Sequence, residues 1–193
     1  MGHLLTSRYL IAQSDPSIVY PGTTTPAFTS NSFFSECGKT AATGNISRYG
    51  CAICSVAMFI MRKGNLARNN DNIFNAVKQA TMKATDNAAD LVNSASFTAR
   101  FGSKSIGVSF SMTTDSDAES RALNGKMCLF FMKQGAKTHY VLVDGYDNSQ
   151  SNPLDGYLVA DPAGGQLRTL RQAMANAGIT QSMAYISSKR KID

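Results

Sequence analysis

The sequence predicts an α+β domain in which a helical half packs against an antiparallel β-sheet, and three observations predict it. Apolar residues recur at helical spacing from Ala52 through Met61 and again after Asn70. Beyond Gly102 the spacing shortens to alternation. The strand-like runs there follow one another mainly across short Gly-rich or polar turns, the order of a meander rather than of βαβ units. With 193 residues, 43% hydrophobic and 17% charged, the chain has apolar surface for one core, so a single domain over residues 1–193 is expected.

The elements follow in order. "DPSIVYPGTTTPAFTSNS", from Asp15, is rich in Pro, Gly, Thr and Ser and sustains no apolar period. It reads as a long surface loop or extended arm, part of an insertion over about residues 20–45, ordered only where it packs on the rest. The helix headed by Cys51 comes next. Ala52, Ile53, Val56, Ala57, Phe59, Ile60 and Met61 cover most of its circumference, which makes it central, and Gly64 supplies its stop. A second helix starts near Asn70 or Asp71, with Ile73, Phe74, Val77 and Ala80 on one face. A third, weaker helix is expected over "DNAADLVNSASFTARFG". The strand candidates are "SIGVSFSM", "MCLFFMK", "HYVLVDGYD", "GYLVADP" and "SMAYIS", with short helices at "DAESRALNG" and "LRTLRQAMANAG".

Composition narrows the function. A net charge of +6 gives a weak preference for anionic partners, but the only basic cluster is Lys189 to Lys191 and no basic stripe interleaves with aromatics. A solvated surface with a basic tail is therefore expected, with no nucleic-acid partner. No apolar run reaches the roughly 18 residues of a membrane helix, and "MGHLLTSRYL" lacks a secretory signal's charged head and apolar core, so a soluble chain is expected. Four cysteines, Cys37, Cys51, Cys54 and Cys128, are too few for a disulfide scaffold. Two histidines and no second C-x-x-C leave zinc without ligands, and no metal or organic cofactor is expected.

The chemistry concentrates at the head of the central helix. A cysteine in the first turn of a helix lies at the positive end of its dipole, which favours thiolate over thiol. Cys51 is so placed; Gly50 clears the approach to the sulfur, and Arg48 is a candidate source of further positive potential. Cys54, one turn on, reads as core rather than as a redox partner, because no upstream strand of thioredoxin type precedes it. A nucleophile needs a base, and with His3 near the terminus His139 is the candidate, anchored at the start of an apolar strand. The imidazole needs an acceptor for its other nitrogen. Asp161 fits, since it ends the following strand and antiparallel pairing brings it beside His139, although an Asp-Pro is also a common turn.

In this order, Cys, His, Asp, with the cysteine opening a central helix, the chain resembles the papain-like cysteine peptidases. More narrowly it is similar to the double-glycine (bacteriocin-processing) peptidase superfamily and its stand-alone relatives. The matching stretches are "AQSDP" (Gln13, Asp15, Pro16), "YGCAICSVAM", "THYVLVDGYD" and "VADPAGG", which span most of the chain. It departs where Ala52 and Ile53 replace the family's usual Gly or Pro after the cysteine, and where the Gln-to-Cys stretch is long. The resemblance implies a papain-like fold and a Cys51–His139–Asp161 triad that hydrolyses amide bonds through a thioester. It also implies an oxyanion hole made by the Gln13 side chain and the Cys51 N–H, with Asn45 as the fallback donor. Implied substrates are peptides, proteins or the stem peptides of peptidoglycan, and the implied setting is bacterial or phage, as an exported or phage-delivered lytic enzyme or a secreted effector. Three alternatives stay open: an acyl transferase of the same chemistry, a catalytically silent peptide binder, and nucleic-acid binding through the basic tail.

Overall fold

The chain folds as an α+β domain in a computed structural model that describes residues 9–39, 45–84 and 96–193. Four helices come first: α1 (Ser32–Glu36), α2 (Ile46–Tyr49), α3 (Cys51–Lys63) and α4 (Asn70–Lys83). A hairpin of β1 (Phe97–Phe101) and β2 (Lys104–Val108) leads to β3 (Phe110–Met112) and α5 (Asp115–Leu123). Then come β4 (Cys128–Gln134), β5 (Lys137–Tyr146), α6 (Pro153–Gly156), β6 (Tyr157–Asp161), β7 (Gln166–Thr169) and α7 (Leu170–Asn176). A 3-10 turn at Met183–Tyr185 precedes β8 (Ile186–Ile192). The main sheet has the antiparallel order β3-β8-β4-β5-β6-β7.

Alternate strand positions explain the layers. Leu129, Tyr140, Leu142 and Ala160 join the core that contains α3 and α4, whereas Cys128, Phe130, Met132, Val141, Val143 and Val159 join a second core with Ala118 and Ala122 of α5 and Leu170, Ala173 and Met174 of α7. Helices thus cover both faces of the sheet, one layer more than the sequence suggests. This is why β5 is buried without interruption from His139 to Tyr146 and reads as an apolar run instead of a clean alternation.

α3 is the axis of the first core, with every residue from Ala52 to Met61 buried. Burying an apolar side chain stabilises by roughly 1.5–3 kcal/mol, so this helix is held by packing rather than by propensity. It ends where expected, but by another device. Gly64 stays right-handed (φ −78), and Asn65 takes the left-handed conformation (φ 45), while Leu66 N–H reaches back to the Met61 carbonyl at 3.0 Å. Gly64 is glycine for space: a Cβ there would lie 2.3 Å from Ile106 Cδ1.

Two expectations need correction and a third is refined. The third helix is not found at Phe97–Phe101, which is strand β1 with Phe97 and Ala99 buried and Thr98 and Arg100 exposed; its remaining residues up to 95 lie outside the described ones. The Pro/Thr-rich segment is a loop, exposed over residues 21–25, but it is anchored in the core more firmly than its composition suggests. Ile18, Ala27, Phe28 and Phe33 are buried, Phe33 meets Phe74 of α4 edge-on at 5.4 Å, and the Asn70 side chain accepts from Val19 N–H and donates to its carbonyl. The last strand begins at Ile186, four residues later than expected, and it absorbs the basic cluster. Lys189 and Lys191 lie in β8, between β3 and β4, and pair with Asp115 (2.5 Å) and Asp117 (2.8 Å) of α5, so they form no tail. No helix among the described residues is long and apolar enough to cross a membrane.

Candidate active site

α2 and α3 are nearly continuous, and Gly50 is the joint. A Cβ at Gly50 would fall 2.5 Å from the Ile46 carbonyl oxygen and 2.6 Å from Ile46 Cγ2, so only glycine lets the two helices abut. This close approach is a reason for glycine here beyond the one read from the sequence. Gly50 also has no side chain to cap α3, whose hydrogen bonding starts with Cys54 N–H donating to the Gly50 carbonyl at 2.7 Å. The first amides of a helix have no acceptor within it, so the head of α3 presents N–H groups and the positive end of a 13-residue dipole to whatever sits there. Cys51 sits there.

The four thiols differ sharply. Cys51 is partly exposed, and the other three are buried. Burial pushes Cys37 and Cys128 up to about 11. It pushes Cys54 well up too, helped by the neighbouring Cys51. Cys54, wholly buried within α3, is core as expected.

His139 enters from β5 and Asp161 from the end of β6, adjacent strands whose register pairs Leu142 with Ala160. His139 Nε2 lies 2.7 Å from Asp161 Oδ1, and both side chains are buried, at 7% and 0% exposure. Burial disfavours the imidazolium, but the hydrogen bond to Asp161, then the hydrogen bond and charge interaction with Cys51, outweigh it and raise His139 to about 9. With Nε2 committed to Asp161, Nδ1 is the nitrogen left for the sulfur. The fold therefore joins His139 and Asp161 in a hydrogen-bonded pair and brings Cys51 near enough to help raise the imidazole.

Gln13 closes the other side. Its backbone N–H donates to the Pro162 carbonyl at 3.0 Å, next to Asp161, and its side-chain Nε2 donates to the Ser47 carbonyl at 2.8 Å, in the helix that leads into Cys51. An amide nitrogen carries two N–H donors, so one remains beyond the bond to Ser47. Gly165 makes this docking possible: at φ 61, its Cβ would lie 3.0 Å from Ala12. Asn45 is occupied elsewhere. Its Oδ1 accepts from Arg48 N–H as the cap of α2, and its Nδ2 donates to Thr29 O at 3.0 Å and Asn31 Oδ1 at 3.4 Å. Arg48 itself is exposed in α2.

Two groups at Asp161 escaped the sequence. Ala163 N–H donates to Oδ1 at 2.8 Å, and Arg168 Nε lies 3.2 Å from Oδ2. Both follow from the β6–β7 hairpin, in which Asp161 pairs with Gln166 and Arg168 lies diagonally across. The spacing of "DPAGGQLR" carried that signal.

Among the described residues no cluster of three or more His, Cys, Asp or Glu could hold a metal ion. Two clefts, of about 220 and 380 Å³, share Lys63 and Asp193 as lining residues, at the end of α3 opposite Cys51. Compared with known proteins, the chain matches no family model and no curated protein.

Proposed function

We propose that the chain is a papain-like cysteine peptidase or amidase that hydrolyses amide bonds through a thioester. The observation that carries this reading is the buried His139, hydrogen-bonded through Nε2 to Asp161 at 2.7 Å and raised in part by Cys51, the one thiol that is partly exposed. The chain order of Cys, His and Asp, with α3 packed against β5, is also what a relative of the double-glycine peptidases requires.

The Cys51 thiol gives its proton to His139 Nδ1, the resulting thiolate attacks the amide carbonyl carbon, and the π electrons move to oxygen. The oxyanion takes hydrogen bonds from Cys51 N–H and the second Gln13 N–H; one such donor supplies roughly 3 kcal/mol. His139 then gives its Nδ1 proton to the amide nitrogen, the C–N bond breaks, and the amine leaves. Next His139 takes a proton from water, hydroxide attacks the thioester carbon, and the sulfur departs. Throughout, Asp161 holds the ring with Nε2–H toward itself and Nδ1 toward the sulfur.

The substrate is a peptide, within a protein or in the stem of a cell-wall polymer, for which a net charge of +6 suits an acidic partner. Mass spectrometry of a peptide library and of peptidoglycan digests, comparing the protein with Cys51→Ala, tests the reading. New amines and carboxylates that disappear with Cys51 support it. Identical products from both proteins, or none from either, refute it.

A further inference from the structure

We propose that Arg168 is a positioning residue of this site: its guanidinium divides the charge of the Asp161 carboxylate with the His139 imidazole and so sets how readily His139 gives up its proton. The inference rests on the acyl-transfer reading and names a residue that no part of the triad accounts for.

The geometry is specific. Asp161 is wholly buried, and its two oxygens are used differently. Oδ1 receives His139 Nε2 at 2.7 Å and Ala163 N–H at 2.8 Å, while Oδ2 has Arg168 Nε at 3.2 Å. Oδ2 and Arg168 Nε are both buried, and neither makes an aligned hydrogen bond, so the contact is one of charge rather than of directed bonding. Arg168 is 22% exposed and reaches this carboxylate from β7, an edge strand that gives only Leu167 to the core. A carboxylate faced by one cation binds that cation more tightly than one faced by two. Hydrolysis needs an imidazolium that forms readily and then lets go, and the second cation weakens the hold.

The other groups around the ring leave this role to Arg168. The groups that raise His139 directly are Asp161 from β6 and Cys51 from α3, so Arg168 acts through Asp161. On its own strand, the Lys137 ammonium donates to the Gly178 carbonyl at 2.6 Å, and the Tyr140 ring stacks on Phe131 of β4 at 4.6 Å.

Proton NMR titration of His139 in a Cys51→Ala background tests this without substrate. The sequence has two histidines, and His3→Ala identifies the other signal. Arg168→Gln is expected to make His139 hold its proton about tenfold more tightly, one pKa unit upward, and Arg168→Lys, which keeps the charge, to shift it by less than about a third of that. An unchanged or lowered His139 titration in Arg168→Gln overturns the proposal, as does Arg168→Lys moving it as far as Arg168→Gln. The titration stands apart from turnover, so a protein without peptidase activity would sink the acyl-transfer reading and leave this measurement to decide the charge sharing by itself.

Discussion

The two ends of α3 carry opposite kinds of charge chemistry. At its head, three segments distant in the chain converge, and the polar groups there are buried: His139 at 7% exposure, Asp161 at 0%, with Gln13 docked beside them. At its foot Arg62 and Lys63, with Lys126 across from them, line an open cleft of about 220 Å³. Lys63 and Lys126 are exposed and Arg62 half-buried; charges in so open a cleft are screened by salt, and an ion pair formed there contributes about 0–1 kcal/mol. A buried charge pair costs several kcal/mol to desolvate and returns that only with good geometry. The head of the helix carries the more expensive arrangement, and the proposed chemistry supplies a reason to retain it.

The largest expected effect separates the two ends directly. Cys51→Ala should lower amide hydrolysis by about 10⁴-fold or more. Arg62→Ala and Lys63→Ala should leave it within about twofold, because screened surface charges contribute little. Steady-state kinetics on one cleaved peptide checks both, and a large loss from the foot of the helix would erase the distinction.

The oxyanion hole sharpens the comparison. Gln13→Ala is expected to lower kcat by about 10²–10³-fold, the cost of one donor. Asn45→Ala should instead cost about 1 kcal/mol of stability as a lost cap and spare kcat. If the two variants exchange these phenotypes in kinetics and denaturant melts, the assignment of Gln13 is wrong.

Two glycines contrast the ends in stability. Gly50→Ala forces a Cβ to 2.5 Å from the Ile46 carbonyl and should cost about 1–3 kcal/mol. Gly107, which lines the cleft at the foot, has nothing within 4 Å of such a Cβ, and Gly107→Ala should change the urea midpoint little.

The buried imidazole also makes folding depend on pH. His139 is raised from 6.5 to about 9, so the folded state binds its proton more tightly than the unfolded chain does. The stability this provides is fully present below pH 6.5 and is lost as pH rises through 9. Between pH 6.5 and 8.5 it should fall by on the order of 2 kcal/mol. Denaturant midpoints should show the decline, and His139→Gln should flatten it over that window.

Much of this architecture was legible in the chain. α3 announced itself because an apolar residue at nearly every position leaves only a central helix, and its head thus marked Cys51. Antiparallel pairing of two consecutive apolar strands put Asp161 within reach of His139. Other features depend on facts no local pattern holds. Pro, Gly and Thr around Phe28 and Phe33 hid two core aromatics, since their burial comes from α4 and not from periodicity. Lys189 to Lys191 looked like a tail because the acidic partners that let them lie in β8, Asp115 and Asp117, are more than 70 positions away. Arg168 was missed because cross-strand contacts depend on hairpin register, and the packing of Gly50 on Ile46 was missed because the two share no motif.

The central claim is that the Cys51 sulfur and the His139 imidazole form one reacting pair. Iodoacetamide labelling of the folded protein at pH 7, followed by peptide mass spectrometry, measures it most directly. The account predicts modification confined to Cys51, at a rate that falls at least about tenfold in His139→Ala. Labelling of Cys51 at the same rate with and without His139, or no faster than that of buried Cys37 or Cys128, would contradict it.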